Sequence, residues 1–181
     1  SVEASACAAA AAGLGGICFS DHCDHYIPPM KASFADIVPE YFDVGQQQAE
    51  ITRVQEIMGD RVKILKGIEI GMYEDCHEEI RKVLSDNTFD QVIASVHYLE
   101  DSDPYYGQYF EGKDWKTAYG LYLESIYDGI SKLGDFDIVG HFDYVARYAP
   151  YPQDSIRYAD FSDLFDALLK YMIENGKALE I

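Results

Sequence analysis

The sequence predicts an α/β fold in which parallel strands alternate with helices and end on polar side chains. Four apolar runs rich in Ile and Val and lacking Pro end in turn on an imidazole or a carboxylate: GICFSDH, VKILKGIEIG, QVIASVHY and FDIVGHFDYV. Helical periodicity separates the runs, and strict alternation of strands and helices is typical of a parallel sheet covered by helices. In such folds the chemistry gathers at the carboxyl ends of the strands.

Each helix is predicted from apolar residues at helical spacing between a capping residue and a glycine. Asp114 is expected to cap the longest helix and Gly134 to end it, and a capping-box-like sequence at 75–78 opens a shorter one. The predicted helices span about 2–12, 40–58, 75–84, 114–133 and 161–173, and the predicted strands 16–20, 62–70, 91–97, 137–142 and 177–181.

Two architectures are possible for this sheet, an open doubly wound sheet and a closed barrel. The ends of successive strands fan out along a line in an open sheet, whereas in a barrel they surround one mouth. The placement of His22, Glu69, His97 and His141 at successive strand ends favours the barrel. Five strands are too few to close a parallel barrel, and the chain begins on a helix without Met. We therefore expect residues 1–181 to be a single domain truncated at both ends.

The composition argues against several classes of protein. A formal net charge of −18 disfavours nucleic acid as a partner, because that binding depends on Lys and Arg. The longest uncharged stretch, at 4–20, is interrupted by three glycines and is too weak for a membrane span. No nucleotide-binding glycine motif follows a strand. The four cysteines, Cys7, Cys18, Cys23 and Cys76, lack CxxC spacing and predict buried, reduced thiols in a cytoplasmic protein.

The strand-end residues have the chemistry of metal ligands. A lone His is usually a solvated residue, but four candidate ligands in series favour a shared site of imidazoles and a carboxylate, which suits Zn, Mn or Fe. Glu69 lies between isoleucines, where an unpaired carboxylate is costly, and its two oxygens could span two ions. His97 and His141 could complete one ion, and His22 could serve a neighbouring one. Clustered metals hydrolyse phosphate esters and attract anionic substrates to an acidic protein.

Four further residues have weaker signals. Asp21 or Asp143 could orient an imidazole by accepting its ring N–H, a role in which they would support catalysis. His25 follows the first strand and could line the mouth, whereas His77 lies in the first turn of a helix and is expected at the surface.

With these motifs the chain resembles the PHP (polymerase and histidinol phosphatase) superfamily, and within it the histidinol-phosphate phosphatases. The matching pieces are GICFSDH, GIEIG, ASVHY and VGHFD, in the family's order over essentially all 181 residues. The resemblance implies a distorted (β/α)7 TIM-like barrel, here without its first and last strands, and up to three divalent metal ions. It implies that Glu69 bridges two ions, that His97 and His141 hold the second of them, and that His22 ligates a third. The family's terminal His-x-His and Asp-x-His motifs are absent from this chain.

The resemblance also implies an enzyme of histidine biosynthesis that hydrolyses L-histidinol phosphate, a small-molecule phosphate ester. Arg147, in the loop after the fourth strand, matches a phosphate-contacting arginine, and it could pair with a phosphate dianion through two donors. Tyr105, Tyr106 and Tyr109 could wall the imidazole of the substrate or cover the barrel end.

Three alternatives remain open from the sequence. The first is another small-molecule phosphoesterase of the superfamily. The second is a polymerase-linked exonuclease, against which the acidic charge and the lack of a basic stripe argue. The third is a non-catalytic metal-binding module. The sequence does not distinguish among the candidate metals or indicate an oligomeric state.

Overall fold

Five parallel strands form one sheet in the computed structural model, which describes residues 1–24, 42–73 and 76–181. The strands lie along the sheet in chain order: β1 (Gly16–Cys23), β2 (Lys63–Gly71), β3 (Gln91–Ser95), β4 (Ile138–Val139) and β5 (Ala178–Leu179). Every neighbouring pair is parallel. A doubly wound sheet reverses its strand order at a switch point, and no reversal occurs among these five strands. The predicted α/β fold with a parallel sheet is therefore confirmed.

The helices in the described part of the chain are α1 (Val2–Ala11), α2 (Val44–Met58), α3 (His77–Asp86), α4 (Trp115–Leu133), α5 (Tyr144–Arg147) and α6 (Ser162–Glu174). As predicted, Asp114 caps α4, accepting a hydrogen bond from the Thr117 amide at 2.8 Å. The α2 helix begins later than predicted, because Asp43 caps it by accepting a bond from the Gln46 amide. Cys76 precedes α3 without a side-chain cap, and the proposed capping residue Asp75 lies outside the described residues.

Two strands end earlier than their apolar runs predict. The structure ends β3 at Ser95 and β4 at Val139, so that His97 and His141 each lie two residues beyond a strand. The Gly140 amide still donates to the Ala94 carbonyl at 2.8 Å, which keeps the chain against β3. A Cβ on Gly140 would lie 1.9 Å from Ser95 Oγ, so glycine permits this close approach.

Two clusters of buried side chains hold the layers together. In the larger one, α4 packs against β2 and β3 through its fully buried residues, Tyr119, Tyr122, Leu123, Ile126 and Ile130. In the smaller one, Ile51, Val54 and Met58 of α2 pack against α1 and the start of β2. Burial of apolar surface at about 25 cal/mol per Å² makes these contacts the main source of stability.

None of the four cysteines forms a disulfide, but their burial differs from the prediction. Cys23 and Cys76 are buried and Cys18 is half-buried, whereas Cys7 is exposed. The buried face of α1 consists of Ala6 and Ala9, and a residue one position after Ala6 points about 100° away on a helix. The prediction of a buried thiol is therefore wrong for Cys7. None of the helices described here combines the length and the apolar character that crossing a bilayer requires.

Tyr122 of α4 holds the segments that follow β3 and β4. Its hydroxyl lies 3.2 Å from the Val96 carbonyl and 3.1 Å from the His141 carbonyl, and its side chain is fully buried. We expect Tyr122→Phe to lower the free energy of unfolding of the full-length protein by about 1–3 kcal/mol, because buried carbonyls lose their donor. Denaturant unfolding measures this, with the exposed Tyr127→Phe on the same helix as control. Equal effects of the two substitutions would contradict the expectation.

Candidate metal centre

The side chains of His22, Glu69, His97 and His141 lie together at the carboxyl end of the sheet. Glu69 is central: its Oε2 lies 3.4 Å from His22 Nε2, and its Oε1 lies 3.0 Å from His97 Nε2 and 3.6 Å from His141 Nε2. The centroids of the stacked His22 and His97 rings are 4.7 Å apart, and those of His97 and His141 are 5.3 Å apart. The four residues thus meet as the sequence predicts, and their role as metal ligands stays a prediction.

Strand pairing explains how the first two ligand candidates meet. His22 and Glu69 are partners in the register of β1 with β2, and partners in adjacent parallel strands point to the same face. The other two imidazoles come from the segments just beyond β3 and β4. Because all of these strands are parallel, their carboxyl ends share one edge of the sheet.

Buried charges set the electrostatics of the cluster. Glu69 and His97 are only 9% and 6% exposed. Burial acts to raise the pKa of Glu69, but contacts with His141 and His97 outweigh it and hold that pKa well below its usual range. Burial acts to lower the pKa of His97, but Asp24 and Glu69 on either side raise it to about 10. In the absence of bound cations, the two flanking carboxylates therefore favour the protonated form of His97.

Several atoms of the cluster are buried without a hydrogen-bond partner, namely Glu69 Oε1, His97 Nε2 and His141 Nδ1. Glu69 Oε1 and His97 Nε2 face each other at 3.0 Å, yet they do not have the angles of a hydrogen bond. Buried polar atoms nearly always have partners, so the facing Glu69 Oε1 and His97 Nε2 fit the ligands of a cation. His141 faces Glu69 through Nε2 rather than Nδ1.

The cluster contains two groups of residues with the composition of a metal site. Glu69, His97 and His141 form one group, and His22, Asp24 and His97 form the other, with ligand atoms within 4.8 Å of one another in each. Imidazole and carboxylate donors suit Zn, Mn or Fe. The donor sets of the described residues therefore fit divalent metal ions.

Asp24 also belongs to this cluster, although it was not among the residues predicted from the sequence. Its Oδ1 lies 3.0 Å from His97 Nδ1 and its Oδ2 lies 3.6 Å from His22 Nδ1. Burial acts to raise the pKa of Asp24, but the contacts with His22 and His97 outweigh it and lower the pKa to about 2. One signal could have found it, because Asp24 follows His22 by two residues, and alternate residues of an extended chain share a face.

The predicted contacts of Asp21 and Asp143 with an imidazole are replaced by contacts with other side chains. Asp21 Oδ2 accepts a hydrogen bond from Gln47 Nε2 at 2.7 Å, since its side chain points to the opposite face from the next residue. Asp143 accepts a hydrogen bond from Arg147 Nη2 at 2.9 Å, and its side chain is 59% exposed. In the structure, Asp24 contacts the imidazoles of His97 and His22 instead. A catalytic role for Asp21 or Asp143 stays a prediction.

A cavity of about 420 Å³ opens beside the cluster. His141, Asp143 and Arg147 line it, together with apolar residues of α6 and β5. The Arg147 side chain is half-exposed, and its Nη2 donates a hydrogen bond to Asp143 Oδ1. The guanidinium predicted to bind phosphate thus lines the same cavity as one of the candidate metal ligands.

Aromatic rings connect the loop after β3 to the cluster. Tyr105 contacts Tyr148, Tyr148 contacts Tyr144, and Tyr144 stacks on His141, each pair with ring centroids 5.1 Å apart. Tyr105 is exposed, as a residue that walls a substrate would be. Tyr109 is instead buried, and its hydroxyl donates to the Ala118 carbonyl at 2.6 Å, so it does not line this wall.

The predictions for the two remaining histidines, His25 and His77, have different outcomes. His25 lies outside the described residues. His77 was expected at the surface, but it is only 7% exposed and lines a separate cavity of about 310 Å³ with Met72 and Tyr98. The prediction for His77 is wrong because the residue lies in a cavity that is also lined by Leu99 after β3 and by Gly129 of α4.

Comparison with known proteins places this geometry in a family. Residues 1–181 match the PHP domain family. The chain is 37% identical over 174 residues to the histidinol-phosphatase of Lactococcus lactis subsp. lactis (strain IL1403), covering 96% of this chain and 62% of that protein. The chain therefore spans less than two thirds of this relative's length.

Solved structures show the same fold. The histidinol phosphate phosphatase from Lactococcus lactis subsp. lactis Il1403, complexed with Zn, L-histidinol and phosphate, matches with a TM-score of 0.85 and 32% identity, over 99% of this chain and 65% of that one. A crystal structure from Listeria monocytogenes matches with a TM-score of 0.77 over 97% of this chain and 72% of that one. At 16% identity, the second match supports the fold alone.

Proposed function

This chain belongs to the PHP domain family, and from that premise we propose that the protein is a metal-dependent histidinol-phosphatase. It hydrolyses L-histidinol phosphate to L-histidinol and phosphate, a step of histidine biosynthesis. The observation that carries the proposal is the convergence of three imidazoles on the Glu69 carboxylate at 3.0–3.6 Å. The similarity to a Lactococcus protein that binds Zn, L-histidinol and phosphate supports the choice of substrate.

The cofactors are divalent cations, Zn, Mn or Fe, and up to three bind. Glu69 would be shared between two cations, His97 and His141 would hold the second of them, and His22 would hold a third. The division of the Glu69 contacts supports this bridging role, because Oε1 faces His97 and His141 while Oε2 faces His22. When bound, the cations polarise the phosphoryl group and lower the pKa of a water to near neutrality.

The residues around the cavity bind and orient the substrate. Arg147 pairs with the phosphate dianion through its planar two-donor fork. Its hydrogen bond to Asp143 is either replaced by the phosphate or kept beside it. Tyr105 and the rings that follow it wall the imidazole of histidinol, since stacked and edge-to-face aromatic contacts favour such a ring. Asp21 and Asp143 support the reaction without ligating a cation.

Arg147→Ala in the full-length protein should raise KM for histidinol phosphate and leave the metal content unchanged. The lost contact is a charge-assisted hydrogen bond worth about 1.5–3 kcal/mol, so kcat/KM should fall on the order of 10- to 100-fold. Arg147→Lys should restore only part of this, because a point charge lacks the planar fork. Steady-state kinetics measures both, with Arg53→Ala as control, since Arg53 pairs with carboxylates on an exposed surface. Unchanged kinetics in both Arg147 variants would remove Arg147 from substrate binding.

Phosphate release by the purified full-length protein tests the proposed function. The protein is stripped of metal, reloaded with Zn²⁺ or Mn²⁺, and assayed on histidinol phosphate and a panel of other phosphomonoesters. We expect metal-dependent release with a clear preference for histidinol phosphate. Equal rates across the panel would favour another small-molecule phosphoesterase, digestion of single-stranded DNA would favour an exonuclease, and metal binding without any hydrolysis would favour a non-catalytic module.

We also propose that the sheet is an arc of a distorted (β/α)7 TIM-like barrel within a single PHP domain over residues 1–181. The parallel strands in chain order support this, since a barrel is wound in one direction. The protein acts in the cytoplasm on a small-molecule phosphate ester and has neither nucleic acid nor a membrane as partner. Four cysteines outside any disulfide and a net charge of −18, which repels phosphate backbones and anionic lipids, support this assignment.

A further inference from the structure

One carboxylate contacts the inner edges of two stacked imidazoles. Asp24 Oδ1 lies 3.0 Å from His97 Nδ1, and Asp24 Oδ2 lies 3.6 Å from His22 Nδ1. We propose that Asp24 is a positioning residue of the metal centre, which accepts the Nδ1–H group of His97, faces Nδ1 of His22 and thereby turns both Nε2 atoms toward Glu69. This inference rests on the proposed function, because it assigns a role within the same metal centre.

The two edges of the His97 ring differ in their geometry. Nδ1 and Asp24 Oδ1 have the angles of a hydrogen bond at 3.0 Å. Nε2 lies equally close to Glu69 Oε1, at 3.0 Å, but remains without a hydrogen-bond partner. A neutral imidazole carries its hydrogen on one nitrogen and a lone pair on the other. Asp24 therefore selects the tautomer with the hydrogen on Nδ1, and the lone pair on Nε2 is left for a cation.

His22 faces the second oxygen of Asp24 with the same ring edge, at the longer distance of 3.6 Å. Its Nδ1 faces Asp24 and its Nε2 faces Glu69 Oε2 at 3.4 Å, while its ring stacks on His97 at an interplanar angle of 28°. The His22 side chain is 61% exposed, so little packing restrains it. Because an exposed ring loses rotamer freedom on binding a cation, a fixed carboxylate behind it reduces that cost.

Gly71, at the end of β2, makes room for the Asp24 carboxylate. A Cβ on Gly71 would lie 1.9 Å from Asp24 Oδ1 and 3.0 Å from its Cγ, and the nearest atoms all belong to Asp24. A side chain at position 71 would push this carboxylate away from the imidazoles. The packing of Asp24 against backbone is independent of the hydrogen bonds and fixes the same position.

The rival assignment makes Asp24 a direct ligand. His22, Asp24 and His97 offer donor atoms within 4.8 Å of one another, and a cation there would occupy Nδ1 and leave the hydrogen on Nε2. The two assignments place the ring hydrogen on opposite nitrogens. Long-range ¹H–¹⁵N spectra of the zinc-loaded full-length protein with ¹⁵N-labelled histidine distinguish them, with peaks assigned through single His→Gln variants.

We expect His97 and His22 to carry the hydrogen on Nδ1 in these spectra. Asp24→Ala should remove the single tautomer of His97 and weaken Zn²⁺ binding on the order of 10- to 100-fold, measured by competition with a chelator. Asp24→Asn should restore part of the affinity, because its carbonyl oxygen still accepts a hydrogen bond. Asp60→Ala makes the same charge change on an exposed turn and should leave both readouts unchanged.

A double-substitution cycle separates positioning from loss of folding. Gly71→Ala alone should weaken Zn²⁺ binding, because it displaces Asp24, but in an Asp24→Ala background it should add little. Gly120→Ala is the control, since its Cβ would meet only Phe161 at an ordinary 3.7 Å. Additive effects, unchanged Zn²⁺ affinity in Asp24→Ala, or a hydrogen on His97 Nε2 in the wild type would each overturn the proposal.

Failure of the proposed function gives a different pattern of results. If the spectra and the cycle agree with the expectation but histidinol phosphate is not hydrolysed, Asp24 still positions a metal centre and the substrate assignment is wrong. If hydrolysis is normal and the His97 hydrogen lies on Nε2, the function holds and the role of Asp24 is overturned.

Discussion

Glu69→Gln should deplete the full-length protein of bound metal and lower kcat/KM for histidinol phosphate at the same time. The amide keeps the shape of the side chain but loses the negative charge and one of the two oxygens that face the imidazoles. Substitutions behind metal ligands cost 10- to 100-fold, so loss of the central ligand should cost on the order of 100-fold or more. Metal analysis of the purified variant and its kinetics measure the two effects.

The exposed Glu79→Gln on α3 provides a control with the same chemical change. Metal content and turnover that both match the wild type in Glu69→Gln would remove Glu69 from the site. Loss of metal with normal turnover would separate the metal from the reaction.

His97→Ala should lower the free energy of unfolding of the metal-free protein by about 3–5 kcal/mol, the usual effect of removing one partner from a buried ion pair. His97 is 6% exposed and lies 3.0 Å from both the Asp24 and the Glu69 carboxylates. Its removal leaves two buried negative charges without the cation between them. Urea unfolding of the chelator-treated full-length protein measures the change, and His22→Ala, at a largely exposed position, should cost less than about 1 kcal/mol.

The pH dependence of this difference follows from the raised pKa of His97. The pKa is about 10 in the folded protein, against an ordinary value of 6.5. A group with a raised folded pKa contributes its full stability below the unfolded value and loses it as the pH rises through the folded value. The stability difference between wild type and His97→Ala should therefore be largest below pH 6.5 and shrink toward pH 10. A difference that stays constant over this range would contradict the assignment of His97 as a buried cation.

The central carboxylate could be predicted from the sequence because its local context is costly. Glu69 lies between isoleucines in a strand, and a buried carboxylate requires partners there. The imidazoles of His22, His97 and His141 were predictable because each follows an apolar run, and parallel strands bring their ends to one edge. Predicting that these residues meet required only the order of the strands, which follows from the alternation of strands and helices.

Other features depend on contacts that periodicity does not reveal. The four residues of α5 are too few for a helical pattern, so the pairing of Asp143 with Arg147 one turn later was not visible. Asp24 lies after the end of β1, and its partner His97 is 73 residues away along the chain. The apolar run of β4 continues past Val139, but the strand ends there, and Gly140 then approaches Ser95 more closely than any side chain would allow.

The central claim is that Glu69, His97 and His141 hold a divalent cation, and anomalous diffraction tests it most directly. Crystals of the full-length protein grown with Zn²⁺ would be measured above and below the zinc absorption edge. We predict an anomalous peak within about 2.0–2.2 Å of His97 Nε2 and of a Glu69 oxygen, the usual Zn–N and Zn–O distances. Zinc found only at other residues, with Glu69 outside coordination distance of any peak, would contradict the account.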